Sequence, residues 1–161
     1  MFSATEQIAK AFEEANILFR IQENEEVSEV IANVAVDYVA YQIHYYSSGD
    51  TNDVSIRIPN YVRYGDKDVR KVLLAAAQCN AEYRYAKFVV DEKEHSVRME
   101  FDFPQSTEDE GIGKMAVELF HRIMQIADKS YPKFMQAIWG GEEKPVISKS
   151  ISNIEFRDIE V

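Results

Sequence analysis

The chain has 161 residues, of which 46% are hydrophobic and 29% charged, the balance of an ordinary globular domain with enough apolar mass for one core without disulfides or a structural metal. Its 28 acidic and 18 basic residues give a net charge of −10, a field that repels phosphate backbones and anionic membranes and argues against nucleic-acid or membrane binding. The single Cys79 excludes an intramolecular disulfide framework and a multi-cysteine zinc site. Charged residues cut every apolar run short of a membrane span, and Met1 to Glu6 lacks the basic and apolar regions of a signal peptide, so a cytoplasmic protein is expected. Residues 1–60 hold ten acids against Lys10, Arg20 and Arg57; this half is read as a solvated face in preference to a docking surface for a basic partner.

Ser3 and Glu6 have the spacing of a capping box, and Ile8, Ala11, Phe12 and Ala15 recur at helical spacing, which predicts a helix over residues 4–15 ending at Asn16. From Ile17 the pattern shortens to strands over 17–22, 29–36, 38–47 and 53–58, with Ser48 to Asn52 as the last hairpin. The apolar positions are even in the second strand (Val30, Ala32, Val34, Val36) and odd in the third (Val39, Tyr41, Ile43, Tyr45). A tight turn or bulge at Asp37 is therefore required. Gly65 and Asp66 open a second helix whose inward stripe is Val69, Val72, Leu73, Ala76 and Asn80. Strands over 85–91 and 95–103 follow, and Val97, Met99, Phe101 and Phe103 opposing Ser96, Arg98, Glu100 and Asp102 describe a sheet with one wet face. Thr107 and Glu110 form a second capping box before the longest helix, with Ile112, Met115, Leu119, Ile123, Ile126 and Ala127 inward. Tyr131-Pro132 is expected to interrupt or restart it, a final piece ends near Trp139, residues 140–145 read as a linker, and Ile154 and Phe156 give the tail weak strand character. The reading is α+β in the order α-β-β-β-β-α-β-β-α, a mostly antiparallel sheet with helices on one face, as a single domain over 1–140 with a tail over 141–161. Phe88, Val97, Met99, Phe101, Leu119 and Ile123 are its expected core.

The segment Leu73 to Asp91, LLAAAQCNAEYRYAKFVVD, resembles the signature of the YbjN family: a helix ending in Asn, then Tyr-Arg-Tyr and a Lys-Phe strand ending in Asp. Ala127-Asp128, Tyr131-Pro132, Met135, Ala137 and Trp139-Gly140 are similar to the end of the final helix in bacterial members, and the resemblance spans residues 4–140. It implies a fold like that of type III secretion chaperones, which are homodimers that bind an extended client peptide, and a label of sensory transduction regulator; Pro145 to Val161 depart from the pattern as an extra tail.

Individual residues point away from catalysis. His44, His95 and His121 lack a metal-ligand spacing, Cys79 sits near the negative end of a helix, and Gly111-Ile112-Gly113 lacks the lysine of a phosphate loop. Glu100 and Asp102 alternate on a polar strand face, where arginine partners or water are the expectation in place of an acid/base pair. Tyr38, Tyr41, Tyr45 and Tyr46 suit either an aromatic platform or core packing, with packing favoured, and Trp139 suits core closure, a dimer anchor or a client contact. Asn80, Arg84 and Lys87 are the polar residues of the family-like segment, Asn80 being read first as a helix-end cap. Tyr41, Tyr45, Asn80, Arg84 and Trp139 are thus the candidate binding residues of a non-enzymatic, cofactor-free, homodimeric module that holds a client or regulatory protein. The alternative is a small-molecule sensor with a pocket between sheet and helices.

Overall fold

The computed structural model describes residues 2–48, 53–103 and 111–141. Helix α1 (Ser3–Glu14) leads into strands β1 (Phe19–Glu23), β2 (Val27–Ala35), β3 (Ala40–Ser48) and β4 (Val54–Arg63); helix α2 (Val69–Glu82), strands β5 (Lys87–Asp91) and β6 (Ser96–Phe103) and helix α3 (Ile112–Trp139) follow. The six strands form one antiparallel sheet in the order β1-β2-β3-β4-β6-β5, so the fold is α+β in the expected element order. The Ser48 to Asn52 hairpin falls largely, and the Thr107 and Glu110 capping box and the strand-like tail fall wholly, outside the described residues.

Alternation decides which face meets the helices. Val30, Ala32 and Val34 of β2, Tyr41, Ile43 and Tyr45 of β3, Val54, Ile56 and Ile58 of β4 and Val97 and Met99 of β6 are buried, and they join the inward faces of the helices in one core. Phe12 of α1 lies 5.2 Å from the Tyr45 ring and 5.6 Å from Phe120 of α3, tying both helices to the middle of the sheet. The change of parity at Asp37 is met by a tight turn, with Val36 N–H donating to Val39 O over 3.0 Å. Ile31 is buried on the opposite, polar face, flanked in register by Arg20 and His44.

Several expectations need correction. Ser3 does not cap α1; the helix begins one residue earlier than the box requires, so the Ser3 hydroxyl lies inside the first turn. The Asn16 stop holds, with Asn16 in the left-handed region at φ 57°. Strand β4 does not end at Ile58: a register shift between Ile58 and Val62, with Asn60 at φ 51°, absorbs Pro59 and lets pairing with β6 resume. Leu73 and Met115 are each 42% exposed, not inward. Helix α2 instead turns Val72, Ala75, Ala76 and Cys79 to the core, and α3 turns Ala116 and Phe120. Gly113 explains the second rotation, because a Cβ there would stand 2.5 Å from Gln7 O and 2.8 Å from Ala11 Cβ; the two helices meet backbone to backbone. Phe101 is only half-buried, whereas Phe88, Val97, Met99, Leu119 and Ile123 are core as expected.

Pro132 does not interrupt α3, which runs on to Trp139. Proline removes an amide donor and crowds the preceding turn, and side chains bond two neighbouring carbonyls there. Ser130 Oγ donates to Ile126 O at 2.7 Å, and the Tyr61 hydroxyl, reaching over from β4, donates to Ala127 O.

Candidate functional site

The continuity of α3 past Pro132 places Tyr131, Met135 and Trp139 one above another at i, i+4 and i+8 on one helix face. Opposite them stands Tyr38, pushed outward by the turn between β2 and β3. These residues, with Pro132, Gln136 and Gly140, line an open groove of about 530 Å³. Trp139 is 78% exposed and Tyr38 62% exposed. The floor is firm: the Tyr61 ring lies 5.9 Å from Tyr131, 6.1 Å from Phe134 and 6.3 Å from Tyr41 in edge-on contacts. Burial pushes the Tyr61 and Tyr41 phenols well above the ordinary range, and the charge of Asp128 pushes Tyr41 further the same way.

A second depression of about 340 Å³ lies where the end of α2 meets β5 and β6, lined by Asn80, Tyr83, Arg84, Ala86, Lys87, Glu100, Phe101 and Asp102. Asn80 does not cap its own helix. Its side-chain amide donates to Phe88 O at 3.0 Å and accepts from Phe88 N–H at 2.7 Å, so it acts as one residue of a further strand along the outer edge of β5. Among the described residues the other border strand, β1, pairs with β2.

The five candidate residues are therefore not brought together. Tyr41 and Tyr45 face inward, and the fully buried Tyr45 donates its hydroxyl to Ala116 O at 3.2 Å; they build the core and present no surface. Asn80 and Arg84 border the second depression and Trp139 the first. Tyr38, weighed in the sequence as platform or core, is exposed at the groove, whereas Tyr131, Pro132 and Met135 are not among the candidates, because reading Pro132 as a break separates Trp139 from the stripe it completes. The i, i+4, i+8 spacing was the available signal.

The polar face of the sheet consists of paired charges. Arg57 donates to Asp102 at 2.6 Å and Arg98 donates to Glu100. Partial burial works to raise the Asp102 carboxyl, but hydrogen bonds from Arg57 and Ser55 and the Arg57 charge leave it below the usual carboxylate range. His44 pairs with Glu29, and His95 Nε2 stands 3.1 Å from Asp66. Burial pushes the Cys79 thiol up to about 11 despite the opposing Lys133 charge, so the sulfur stays protonated and unreactive near neutral pH. Among the described residues no group of three or more His, Cys, Asp or Glu is placed to hold a metal ion, and no helix is long and apolar enough to cross a membrane.

Compared with models of known protein families the chain matches none, and no curated protein matches it.

Proposed function

We propose that this protein is a non-enzymatic protein-binding module, chaperone-like or regulatory, that holds a segment of a partner protein in the groove between Trp139 and Tyr38. The observation that carries this reading is the exposure of Trp139 beside Tyr38, Tyr131, Pro132 and Met135 on a firm floor. Large aromatic side chains that stay out of the core concentrate binding energy at protein interfaces, because they bury much area with few rotamers to fix, and methionine adds a flexible apolar surface that adapts to a partner. The Gln136 amide and the Tyr38 hydroxyl supply a polar rim. Arginine-paired carboxylates and a protonated Cys79 support a role other than catalysis. Self-association as a homodimer belongs to the same proposal, with the exposed Leu73 and Leu74 of α2 as an apolar patch suited to it.

A photo-crosslinker replacing Gln136 in the full chain, expressed in its native cell, tests the groove. The expected result is a discrete set of polypeptide adducts that Trp139→Glu abolishes while the fold persists; adducts indifferent to Trp139→Glu contradict the proposal. The second reading, a small-molecule sensor, draws on Arg84 and Lys87 facing Glu100 and Asp102 beside Tyr83 and Phe101 in the other depression, a lining for a ligand with groups of both charges on an apolar body. A metabolite that co-purifies with the protein and is lost in Arg84→Ala favours that reading.

A further inference from the structure

We propose that, until a partner displaces it, the groove beside Trp139 is occupied by the chain's own segment Lys144 to Ile154. The proposal rests on reading the groove as a protein-binding site and adds what regulates it. The chain leaves α3 at the wall of the groove itself: Gly140 lines it, and Gly141, at φ 72° with nothing within 4 Å of a Cβ position, ends the helix in the left-handed turn that takes a chain off the helix axis. Only Glu142 and Glu143 separate that turn from Lys144.

Length and chemistry fit this occupant. From Tyr131 to Trp139 a helix rises about 12 Å, and a ten-residue linker such as the one from Gly141 to Ile151 has a root-mean-square span of roughly 17 Å. The segment therefore reaches the whole groove, at an effective concentration on the order of millimolar for so short a tether. Val146, Ile147, Ile151 and Ile154 give it apolar side chains for Trp139, Met135 and Tyr38, and Lys144 and Lys149 stand in it without a single acid. That local charge opposes the −10 of the chain and the exposed Asp37 next to Tyr38 at the rim. A client that replaces the segment must match it: apolar side chains interspersed with lysine or arginine.

Trp139 is the single tryptophan of the chain, so its fluorescence reports on the groove alone. In the full-length protein we expect acrylamide to quench Trp139 several-fold less efficiently than a free indole, with no change on serial dilution. Ile147→Asp with Ile151→Asp and Ile154→Asp should raise quenching to the free-indole level at an unchanged circular dichroism spectrum. A nitroxide on Ser150→Cys, with Cys79 buried and unlabelled, should quench Trp139 in the otherwise unaltered chain and lose that effect in the triple variant. Full quenching of the unaltered chain, protection that vanishes on dilution and so belongs to a second copy, or a nitroxide without effect each overturns the proposal. None of those outcomes touches partner capture through Gln136, so the two proposals fail separately.

Discussion

Asn80 extends from the last turn of α2 to the outer edge of β5 and satisfies both backbone groups of Phe88. Removing that amide leaves a donor and an acceptor at a strand edge without their partner, so Asn80→Ala is expected to cost about 1–3 kcal/mol in denaturant melts. Aromatic residues divide by depth. Phe134 is fully buried between Tyr61 and Phe88, and Phe134→Ala should cost about 3–5 kcal/mol, whereas half-buried Phe101 should cost about half as much on truncation. The alternation in β6 marked Phe101 as inward but carried no information on where helix cover ends, and it ends at the depression that Phe101 lines. Titration gives a further test. Cys79, Tyr41, Tyr45 and Tyr61 all have pKa values raised by burial, so the unfolded chain releases protons at a pH where the folded chain still holds them. Their contribution is intact below about pH 9 and lost as pH rises through the ordinary thiol and phenol range. Unfolding midpoints should therefore fall steeply between about pH 9 and 11, and less steeply in Cys79→Ala relative to its own value at pH 7.

At the scale of elements, α3 decides the architecture through one glycine and one proline. Gly113→Ala improves helix propensity yet inserts a methyl group 2.5 Å from Gln7 O of α1, so thermal melts should show a net loss of about 1–3 kcal/mol. A gain in stability would mean that the two helices are not in backbone contact. The element order was legible because strand alternation and helical spacing are local, and the parity change at Asp37 even forecast the tight turn. Helix rotation was less legible. Leu73 and Met115 lie at apolar positions of acceptable spacing, but small residues at Ala75, Ala76, Gly113 and Ala116 permit closer packing, and the close contact sets which side turns inward. The proline of α3 misled for a similar reason: the contacts made around it include the hydrogen bond to Ala127 O from Tyr61, about seventy residues earlier in the chain.

On the scale of the whole molecule, the sheet has two different borders, and surface depressions lie at the end of α3 and where α2 meets β5 and β6. Asn80 closes part of the β5 border, β1 pairs with β2 among the described residues, and the Trp139 groove joins a strand turn to a helix end that are a hundred residues apart in sequence. No local pattern contains such a site, which is why the exposed tryptophan was legible as a candidate and its groove was not. The proposed homodimer should scatter light at about twice the 18.6 kDa chain mass at micromolar concentration. Leu73→Glu with Leu74→Glu should return it to the mass of one chain without unfolding. The most direct test of the central claim is amide hydrogen exchange of the chain carrying Ile147→Asp, Ile151→Asp and Ile154→Asp, whose groove its own segment no longer fills, alone and saturated with a polypeptide captured through Gln136. Binding in the groove predicts added protection at the Asp37-Tyr38 turn and the final turns of α3, from Tyr131 to Gly140, with β1 and the Arg84 depression unchanged. Protection confined to β1 or to residues 80–87, with the last turns of α3 exchanging as before, would contradict it.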